Sequence, residues 1–270
     1  MKDLKNKVAV VTGASQGIGR AIAISLSKEG CILALIARGK DGLDKVAQEI
    51  KDLGGQAYIF PCDVSNLKKV AEVIQSIESQ LSRIDILVNN AGLGTFKPLS
   101  ITSYEETIQP VLLPFGSAMV ASHAVIKGMI TRKSGHIVNL TSPAGYFPLP
   151  NMIPYTAARY AMVGMSLSLY EELYDKGIGV SLLCPGHVDT GYFERNDASM
   201  DWYPKIVKFF PTIQPEVVGA KAVYAIKNNK REVIFPTILW FIVRYFQTFP
   251  SSTLWFLKLT GLFKPSKTLI

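Results

Sequence analysis

Three residues near the middle of the chain carry side chains that together could move a proton. Ser142 follows the apolar run at 137–141, and Tyr155 and Arg159 stand four positions apart, which places them on one face of a helix. A nearby cation stabilises the anion of a phenol, so Tyr155 beside Arg159 suits acid/base catalysis near neutral pH. The hydroxyl of Ser142 could hydrogen-bond a developing oxyanion. Taken alone, these residues also suit a purely structural role.

A glycine-rich turn near the N-terminus could cradle a pyrophosphate. Residues 12–19 read TGASQGIG and follow an apolar run at 8–11. Backbone N–H groups in such a turn, with the N-terminus of the following helix, attract phosphate. Gly13 would permit the tight turn, Gly17 would leave space for the phosphates, and Gly19 would let helix and strand pack closely. Ordinary loops also use such turns, and the spacing is GxxxGxG rather than GxGxxG, so the position after a strand favours a nucleotide site.

The residue that ends the second predicted strand indicates which dinucleotide would bind. Sites for NAD carry an acidic residue there, which holds the ribose 2′-hydroxyl. Here the run at 33–37 ends in Arg38, and a cation could pair with the 2′-phosphate of NADP, with Lys40 close by. A solvated arginine at a strand end is the alternative. The sequence therefore favours NADP, with NAD as the weaker candidate.

Short apolar runs alternate with longer amphipathic segments, and this alternation predicts the elements that position these residues. The predicted strands are 8–12, 32–37, 57–60, 84–88, 136–141, 179–183 and 233–235. The predicted helices are 17–29, 42–53, 67–81, 104–132, 155–176 and 215–228. Strands joined by helices imply βαβ crossovers, and continuous apolar strands imply burial on both faces. We therefore predict an α/β fold, a doubly wound parallel sheet of the Rossmann-like kind, in a single domain at 1–235. Ligands of such sheets bind outside the carboxyl ends of the strands, toward which Ser142 would point.

The remaining residues, 236–270, form an apolar and aromatic C-terminal extension, called the tail below. Trp, Phe, Leu and Ile are dense in it, and Pro236 and Pro250 interrupt it. Its lysines are Lys258, Lys264 and Lys267. Such a segment could pack on the body or on another subunit. It could equally lie in a membrane interface, because aromatic side chains flanked by cations suit the edge of a bilayer.

Composition excludes several classes of protein. The chain of 270 residues is 48% hydrophobic and 19% charged, which is too apolar for a disordered protein. Its net charge of +8 comes from scattered Lys and Arg rather than a basic stripe, so no nucleic-acid partner is expected. Three isolated cysteines and three histidines predict no disulfide framework and no metal site, which suits the cytoplasm. A polar N-terminus and the lack of about 18 uninterrupted apolar residues predict neither a signal peptide nor a membrane-spanning helix.

Five motifs in the expected order resemble those of the classical short-chain dehydrogenase/reductase family over about residues 5 to 235. They are TGxxxGIG at 12–19, Asp63-Val64, NNAG at 89–92, Ser142 with Tyr155 13 positions later, and PGxxxT at 185–190. The resemblance implies catalytic roles for Ser142, Tyr155 and Arg159. The residues predicted to bind the cofactor are Gly13, Ser15, Gln16, Gly17, Ile18, Gly19, Arg38, Asp63, Val64, Asn90, Ala91, Gly92, Tyr155, Arg159, Pro185, Gly186, Val188 and Thr190.

The resemblance also implies how these residues would act. Tyr155 would pass a proton to or from the substrate oxygen while a hydride moves at the nicotinamide, and Ser142 would hold that oxygen. Val188 and Thr190 would fix the carboxamide and phosphate end, and Asn90 would line the cofactor. The predicted activity is that of an NADP-preferring oxidoreductase that interconverts a carbonyl and an alcohol.

Two departures from the family pattern bear on catalysis. The family motif YxxxK reads YTAAR here, and Arg159 keeps a charge but lacks the compact ammonium of lysine. The helix position that carries a relay asparagine in the family is Pro114, which offers no side-chain hydrogen bond. A catalytically impaired nucleotide-binding scaffold or sensor is therefore the alternative prediction.

The partners are predicted from the same resemblance. The segment between Thr190 and Pro215 would fold over the substrate, and its aromatic residues predict an apolar, lipid-like carbonyl or alcohol, although packing on the sheet edge is the alternative. The residues that support this prediction are Tyr192, Phe193, Met200, Trp202, Tyr203, Phe209 and Phe210. A homo-oligomer would form through the helices at 104–132 and 155–176. The protein is predicted to be cytoplasmic, with peripheral membrane contact through the tail as the added alternative.

Overall fold

The computed structural model describes residues 1–192 and 200–264, and a seven-stranded parallel sheet forms its centre. The strands are β1 (Val8–Thr12), β2 (Ile32–Ala37), β3 (Gln56–Pro61), β4 (Ile86–Asn89), β5 (Gly135–Leu140), β6 (Ile178–Pro185) and β7 (Glu232–Phe235). Their order in the sheet is β3-β2-β1-β4-β5-β6-β7, so the direction of the chain through the sheet reverses between β1 and β4. The predicted doubly wound α/β fold is confirmed. A crevice opens at such a reversal beyond the carboxyl ends of the strands.

Helices cover both faces of this sheet. They are α1 (Gly17–Lys28), α2 (Lys40–Asp52), α3 (Leu67–Leu81), α4 (Tyr104–Val111), α5 (Ser117–Arg132), α6 (Ile153–Leu173), α7 (Pro215–Lys227), α8 (Thr237–Thr248) and α9 (Pro250–Leu259). One apolar cluster packs α1, α2 and α7 on one face, and a second packs α3 and α5 on the other. Because both faces are covered, β1, β5 and β6 are buried along their whole length.

The segment predicted as one helix at 104–132 is interrupted. A π-helical turn, Leu112–Gly116, joins α4 to α5 and contains Pro114, while Pro110 lies inside α4. Proline lacks the N–H and clashes with the preceding turn, and a wider turn accommodates it. By length and hydropathy Tyr104–Arg132 could cross a membrane, and 33% of its most apolar window is buried; its C-terminal part, α5, packs against α3. Subunit contact through this segment stays a prediction.

The tail folds into α8 and α9, which the sequence reading did not predict as helices. Leu239, Val243 and Phe246 form a buried stripe on α8 at helical spacing, and Phe246 stacks on Phe147 with ring centres 4.8 Å apart. Arg244 of α8 also forms an ion pair with Glu232 of β7, which accepts a hydrogen bond from Tyr146. The described part of the tail therefore packs on the edge of the body beside β7. The domain boundary at residue 235 stays a prediction.

Candidate active site

The glycine-rich turn between β1 and α1 is held in a conformation that side chains would prevent. Gly13 and Gly17 have φ angles of +66° and +56°, the left-handed region that favours glycine. A Cβ on Gly19 would stand 2.1 Å from the carbonyl oxygen of Gly13, so the helix can approach the turn only because residue 19 lacks a side chain. The turn therefore leaves an open cradle at the N-terminus of α1, a geometry that suits a pyrophosphate.

Asn90 contributes to this cradle as a brace. Its Nδ2 donates to the carbonyl oxygens of Thr12 and Gly13 at 3.0 and 3.3 Å, and its backbone N–H donates to the Thr12 hydroxyl at 3.0 Å. That hydroxyl also accepts from the backbone of Ala91 at 3.1 Å and donates to the Val88 carbonyl oxygen. Asn90 does line the crevice as expected, but its amide is occupied with fixing the glycine-rich turn.

The charges at the end of β2 lie at the outer edge of the crevice. Arg38 is exposed and lines it together with Asp63, which follows β3. Partial burial raises the pKa of the Asp63 carboxyl, but hydrogen bonds from Ser65 and the charge of Arg38 outweigh it, and the pKa falls below its usual value. Lys40 is not a second free cation here, because its Nζ pairs with Asp44 Oδ2 at 2.7 Å. Arg38 is therefore the cation of this edge that faces the crevice.

Ser142 comes directly after β5 and lines the same crevice. Its Oγ accepts a hydrogen bond from the backbone N–H of Ala144 at 3.1 Å and caps the short turn Pro143–Gly145. The neighbouring Thr141 donates to the carbonyl oxygen of Arg159 at 3.1 Å, which ties the end of β5 to α6. This bond fixes the strand that carries Ser142 against the helix that carries Tyr155.

Tyr155 and Arg159 lie in the first turns of α6, and both are buried. The guanidinium carbon of Arg159 lies 4.7 Å from the centre of the Tyr155 ring, and its Nη1 donates to the Leu140 carbonyl oxygen at 3.1 Å. A Cβ on Gly92 would come within 2.8 Å of Nη2, so a side chain at position 92 would displace the guanidinium from this position. Burial lowers the pKa of Arg159, but the hydroxyls of Tyr155 and Tyr192 outweigh it and raise the pKa, so the group stays cationic.

Two features of the structure fit a nicotinamide dinucleotide at this place. The first is the glycine-rich turn, in which Gly13 and Gly17 have left-handed φ angles and line the crevice at the N-terminus of α1. The second is Nε of Arg159, a buried donor that has no acceptor within the described residues and lies in a side chain that lines the crevice. A cationic donor beside Tyr155 suits the hydroxyls of a ribose. The residues present therefore fit the cofactor that the motifs predict.

The loop after β6 closes the crevice on its third side. The backbone N–H of Gly186 donates to Phe235 at 2.9 Å, and His187 and Asp189 exchange backbone hydrogen bonds with Ile213 at 2.8 and 2.9 Å. Pro185, Gly186, Val188 and Thr190 all line the crevice. These bonds hold the predicted PGxxxT loop beside Ser142 and Tyr155. The structure thus brings the predicted site residues to one crevice, except that Gly19 lies behind the turn as a packing residue.

A buried polar network behind the site is absent from the sequence prediction. Asn89 donates to Asn139 at 2.8 Å and to Ser122 at 3.2 Å, and Asn139 donates to Ser166 at 2.9 Å. These bonds link β4 and β5 to α5 and α6, and the two asparagines are register partners in the sheet. The signal was present as an asparagine within each of two mostly apolar strands. The network positions α6 although Pro114 cannot join it through a side chain.

One continuous cavity of about 1220 Å³ joins the glycine cradle to an apolar chamber beyond Tyr155. Tyr155 and Tyr203 line the near wall, and the buried Phe96 packs on both, with ring centres 5.0 and 5.4 Å apart. The far wall consists of residues of the tail, which sequence reasoning did not place in the site. They include Leu239, Phe241, Ile242, Tyr245, Thr253, Trp255, Phe256, Leu257 and Phe263.

The predicted substrate segment contributes part of this wall. Tyr192, Tyr203 and Phe210 line the cavity. Phe209 is 76% exposed, and Trp202 is buried. Phe193 lies outside the described residues, and Met200 begins a short 3₁₀ turn. The backbone of Lys205 and Ile206 donates to Lys264 and Leu262, so this segment and the tail are joined over the chamber.

Comparisons with known proteins match this architecture. A family model described as short chain dehydrogenase matches residues 7–201. The ketoacyl reductase HetN of Nostoc sp. is 31% identical over 237 residues, 87% of this chain and 80% of that protein. 17-beta-hydroxysteroid dehydrogenase 13 of Rattus norvegicus is 30% identical over 241 residues, 88% and 77% of the two chains. A crystal structure of a metagenomic short-chain oxidoreductase in complex with NADP has a TM-score of 0.73 and 31% identity, covering 86% of this chain and 98% of that one.

Proposed function

The chain belongs to the short-chain dehydrogenase family, and from that premise we propose that it is an NADP-preferring oxidoreductase that interconverts a carbonyl and an alcohol on an apolar, lipid-like substrate. The observation that carries the proposal is the continuity of the cavity. The same space is bordered by a glycine cradle for a dinucleotide, by Ser142 and Tyr155, and by an apolar chamber. A hydrocarbon in the chamber would present its polar group between the two hydroxyls.

The roles of the residues follow from their places. Bound NADPH supplies the hydride. Tyr155 gives a proton to the carbonyl oxygen in reduction and takes one from the hydroxyl in oxidation. Ser142 hydrogen-bonds the same oxygen and stabilises the charge that develops on it. Arg159 holds its positive charge beside Tyr155 and offers donors to the ribose, while the apolar wall excludes water from the reacting atoms.

The preference for NADP rests on the edge of the crevice near β2. Arg38 is an exposed cation beside the glycine turn, and Lys40 is drawn away into its pair with Asp44. A 2′-phosphate adds charge that a guanidinium can bind with two hydrogen bonds, whereas a bare ribose gains much less from it. The similar metagenomic oxidoreductase was crystallised with NADP, which supports the same choice.

The apolar substrate rests on the chamber and on the similar proteins. Aromatic and aliphatic side chains form the chamber walls, and the printed names of two relatives describe a ketoacyl reductase and a hydroxysteroid dehydrogenase. Both names refer to a keto or hydroxyl group on a molecule that is largely hydrocarbon. The chamber suits that class better than a sugar or another polar alcohol, because a polar substrate would lose its hydrogen bonds to water there.

The test is a cofactor titration followed by single-turnover hydride transfer. The protein is titrated with NADPH and with NADH by calorimetry, and the NADPH complex is then mixed with methyl ketones of increasing chain length and with a steroid ketone. We expect tighter binding of NADPH and rates that rise with chain length. Equal affinity for both cofactors would remove the NADP preference, and rates independent of chain length would remove the apolar substrate.

A second candidate function is nucleotide binding without efficient catalysis, and Pro114 favours it. Pro114 is buried in the π-helical turn at Leu112–Gly116, and Leu113 of that turn borders the cavity. No side-chain hydrogen bond can come from position 114, so a proton relay through it is not available. If NADPH binds and every ketone leaves it unoxidised, while Pro114→Asn combined with Arg159→Lys gains turnover, the scaffold function is the correct one.

A further inference from the structure

The tail helices are apolar on two opposite sides. On α8, Leu239, Val243 and Phe246 face the body, while Phe241 and Tyr245 are 58% and 56% exposed. On α9 the pattern repeats, with Leu257 inside and two neighbouring aromatic residues outside. The exposed apolar side chains of both helices are Ile238, Trp240, Phe241, Tyr245, Phe249, Trp255, Phe256 and Leu259. A helix that is apolar all round is typical of a buried or membrane-bound position, so the outer side requires a partner.

The exposed aromatic side chains also border the chamber. Phe241, Tyr245, Trp255 and Phe256 line the cavity, and each is more than half exposed. These four residues therefore form a mouth through which the chamber reaches the outer apolar surface. A second copy of the chain seated on this surface would close the mouth, whereas a lipid surface would leave a continuous apolar path into it.

The charge of the tail favours an anionic surface. Residues 233–270 contain no Asp or Glu, and their cations are Arg244, Lys258, Lys264 and Lys267. Arg244 is paired with Glu232, but Lys258, which lies in α9 two residues after Phe256, and Lys264, five residues after the end of α9, are both exposed. Cations beside exposed tryptophan and phenylalanine match the headgroup region of an anionic bilayer.

We propose that the outer faces of α8 and α9 dock on an anionic bilayer, and that the mouth at Phe241, Tyr245, Trp255 and Phe256 admits a single-chain lipid from that bilayer into the chamber. The lipid would enter with its polar end first, so that this end reaches Ser142 and Tyr155 while the hydrocarbon chain lies along the aromatic side chains. Docking itself needs no turnover. The identification of the entering lipid as a substrate rests on the proposed function.

Docking is tested with the full-length protein and vesicles. Vesicles of phosphatidylcholine, with and without phosphatidylglycerol, are sedimented with wild type and with the double variant Trp255→Ser/Phe256→Ser. Tyr104→Ser, which changes a 76% exposed aromatic residue on α4, is the matched control. We expect the double variant to lose at least tenfold in binding to the anionic vesicles and the control to lose none. Lys258→Glu is expected to lose about fivefold or more, and Lys45→Glu on α2 is its control.

The orientation on the bilayer is tested by fluorescence. The sequence holds three tryptophans, of which Trp202 is buried, so Trp240→Phe leaves Trp255 as the exposed one. Brominated phosphatidylcholine in the anionic vesicles is expected to quench this fluorescence. A folded protein that stays in the supernatant, or that sediments equally well after Trp255→Ser/Phe256→Ser, overturns the docking. Dimers in analytical ultracentrifugation that Trp255→Ser dissociates, without vesicle binding, would assign the surface to a second copy.

Entry into the chamber is tested separately with cis-parinaric acid, a fluorescent single-chain fatty acid. Ile242 lines the chamber, and Ile242→Trp is expected to reduce binding of the probe at least fivefold, while Ile130→Trp on α5 leaves it unchanged. Unchanged binding in folded Ile242→Trp overturns the entry route. If the protein docks and binds the probe but transfers no hydride, this inference stands and the proposed function is wrong. If the protein reduces ketones in solution but does not dock on vesicles, the proposed function stands and this inference is wrong.

Discussion

The two ends of the cavity are built by different means. At the end between β1 and β2, the site consists of a glycine-rich turn, which Asn90 braces, and the exposed cation Arg38. At the end between α8 and α9, the walls are aromatic and aliphatic side chains drawn from the tail. We expect the first end to recognise the cofactor through the positions of a few atoms. We expect the second end to recognise the substrate through the apolar area that many atoms bury.

This difference teaches how each end should respond to substitution. A backbone cradle tolerates no added atom, since its neighbours are main-chain groups that cannot move independently. An apolar wall loses only the contacts of the atoms removed, and its other members continue to exclude water. Substitutions at the glycine-rich turn are therefore expected to cause a large loss of cofactor affinity. Substitutions at the apolar wall are expected to weaken substrate binding in proportion to the atoms removed.

The largest effect is expected where the two ends meet. Tyr155→Phe removes the hydroxyl that we propose transfers the proton and keeps the ring that contacts Phe96 and Arg159. We expect kcat to fall by about 10²- to 10⁴-fold, the range of general acid–base catalysis, with NADPH affinity unchanged. Single-turnover kinetics and calorimetry measure the two quantities. Tyr160→Phe, which changes an exposed residue of the same helix, is the control, and equal activity of both variants would remove Tyr155 from the mechanism.

The cradle itself gives the next largest effect. In Gly19→Ala the new Cβ would stand 2.1 Å from the Gly13 carbonyl oxygen, so α1 or the turn must move and the phosphate site opens. We expect NADPH affinity to fall by roughly 100-fold, equivalent to about 3 kcal/mol. Gly164→Ala is the matched control, since nothing lies within 4 Å of its added Cβ and it is a helical glycine. It should keep full affinity and stabilise the fold by about 0.5–1 kcal/mol in thermal unfolding.

The same difference explains what the sequence could predict. The sheet and the glycine-rich turn follow from local rules, because apolar runs make buried strands and glycine spacing makes a turn. Most of the other crevice residues could be predicted only through the resemblance to the short-chain dehydrogenase/reductase family. The structure adds contacts that the sequence did not predict: Asn90 braces the turn, Gly92 lies against Arg159, and Lys40 pairs with Asp44.

The arrangement of the apolar end could not be predicted from the sequence in the same way. The density of Trp and Phe marked the tail as unusual, but core, subunit and membrane all favour such residues. Only the packing of Val243 and Phe246 on the body reveals which side of α8 faces inward and that the adjacent Ile242 borders the chamber. Pairing of Asn89 with Asn139 likewise depends on strand register, which spacing along the chain does not fix.

The preference for NADPH over NADH tests whether one charge, that of Arg38, selects the cofactor at the polar end of the cavity. Arg38→Ala is expected to lower NADPH affinity about tenfold and to leave NADH affinity within twofold, because an exposed cation contributes of the order of 1–2 kcal/mol to a phosphate. Lys40→Ala removes a cation that already pairs with Asp44 and is the control. Calorimetric titration of each variant with both cofactors measures the result. Equal losses for NADPH and NADH would mean that Arg38 supports the turn rather than the phosphate.

The smallest single effect is expected at the apolar end, and its pattern is more informative than its size. Ile242→Ala removes methyl and methylene groups that border the chamber, so kcat/KM for a long-chain ketone should fall about three- to tenfold, at roughly 0.8 kcal/mol per lost methylene contact. A short ketone that does not reach α8 should react at the wild-type rate. Ile238→Ala changes an exposed isoleucine of the same helix and should affect neither substrate in the absence of membranes. If both substrates slow equally in Ile242→Ala, the residue supports the fold and the chamber does not hold the chain. A fall in kcat/KM that is confined to the long ketone, and smaller than the loss of NADPH affinity in Arg38→Ala, would show that the chamber binds its substrate through buried apolar area. The other end of the cavity would then differ in binding the cofactor through a few groups at fixed positions.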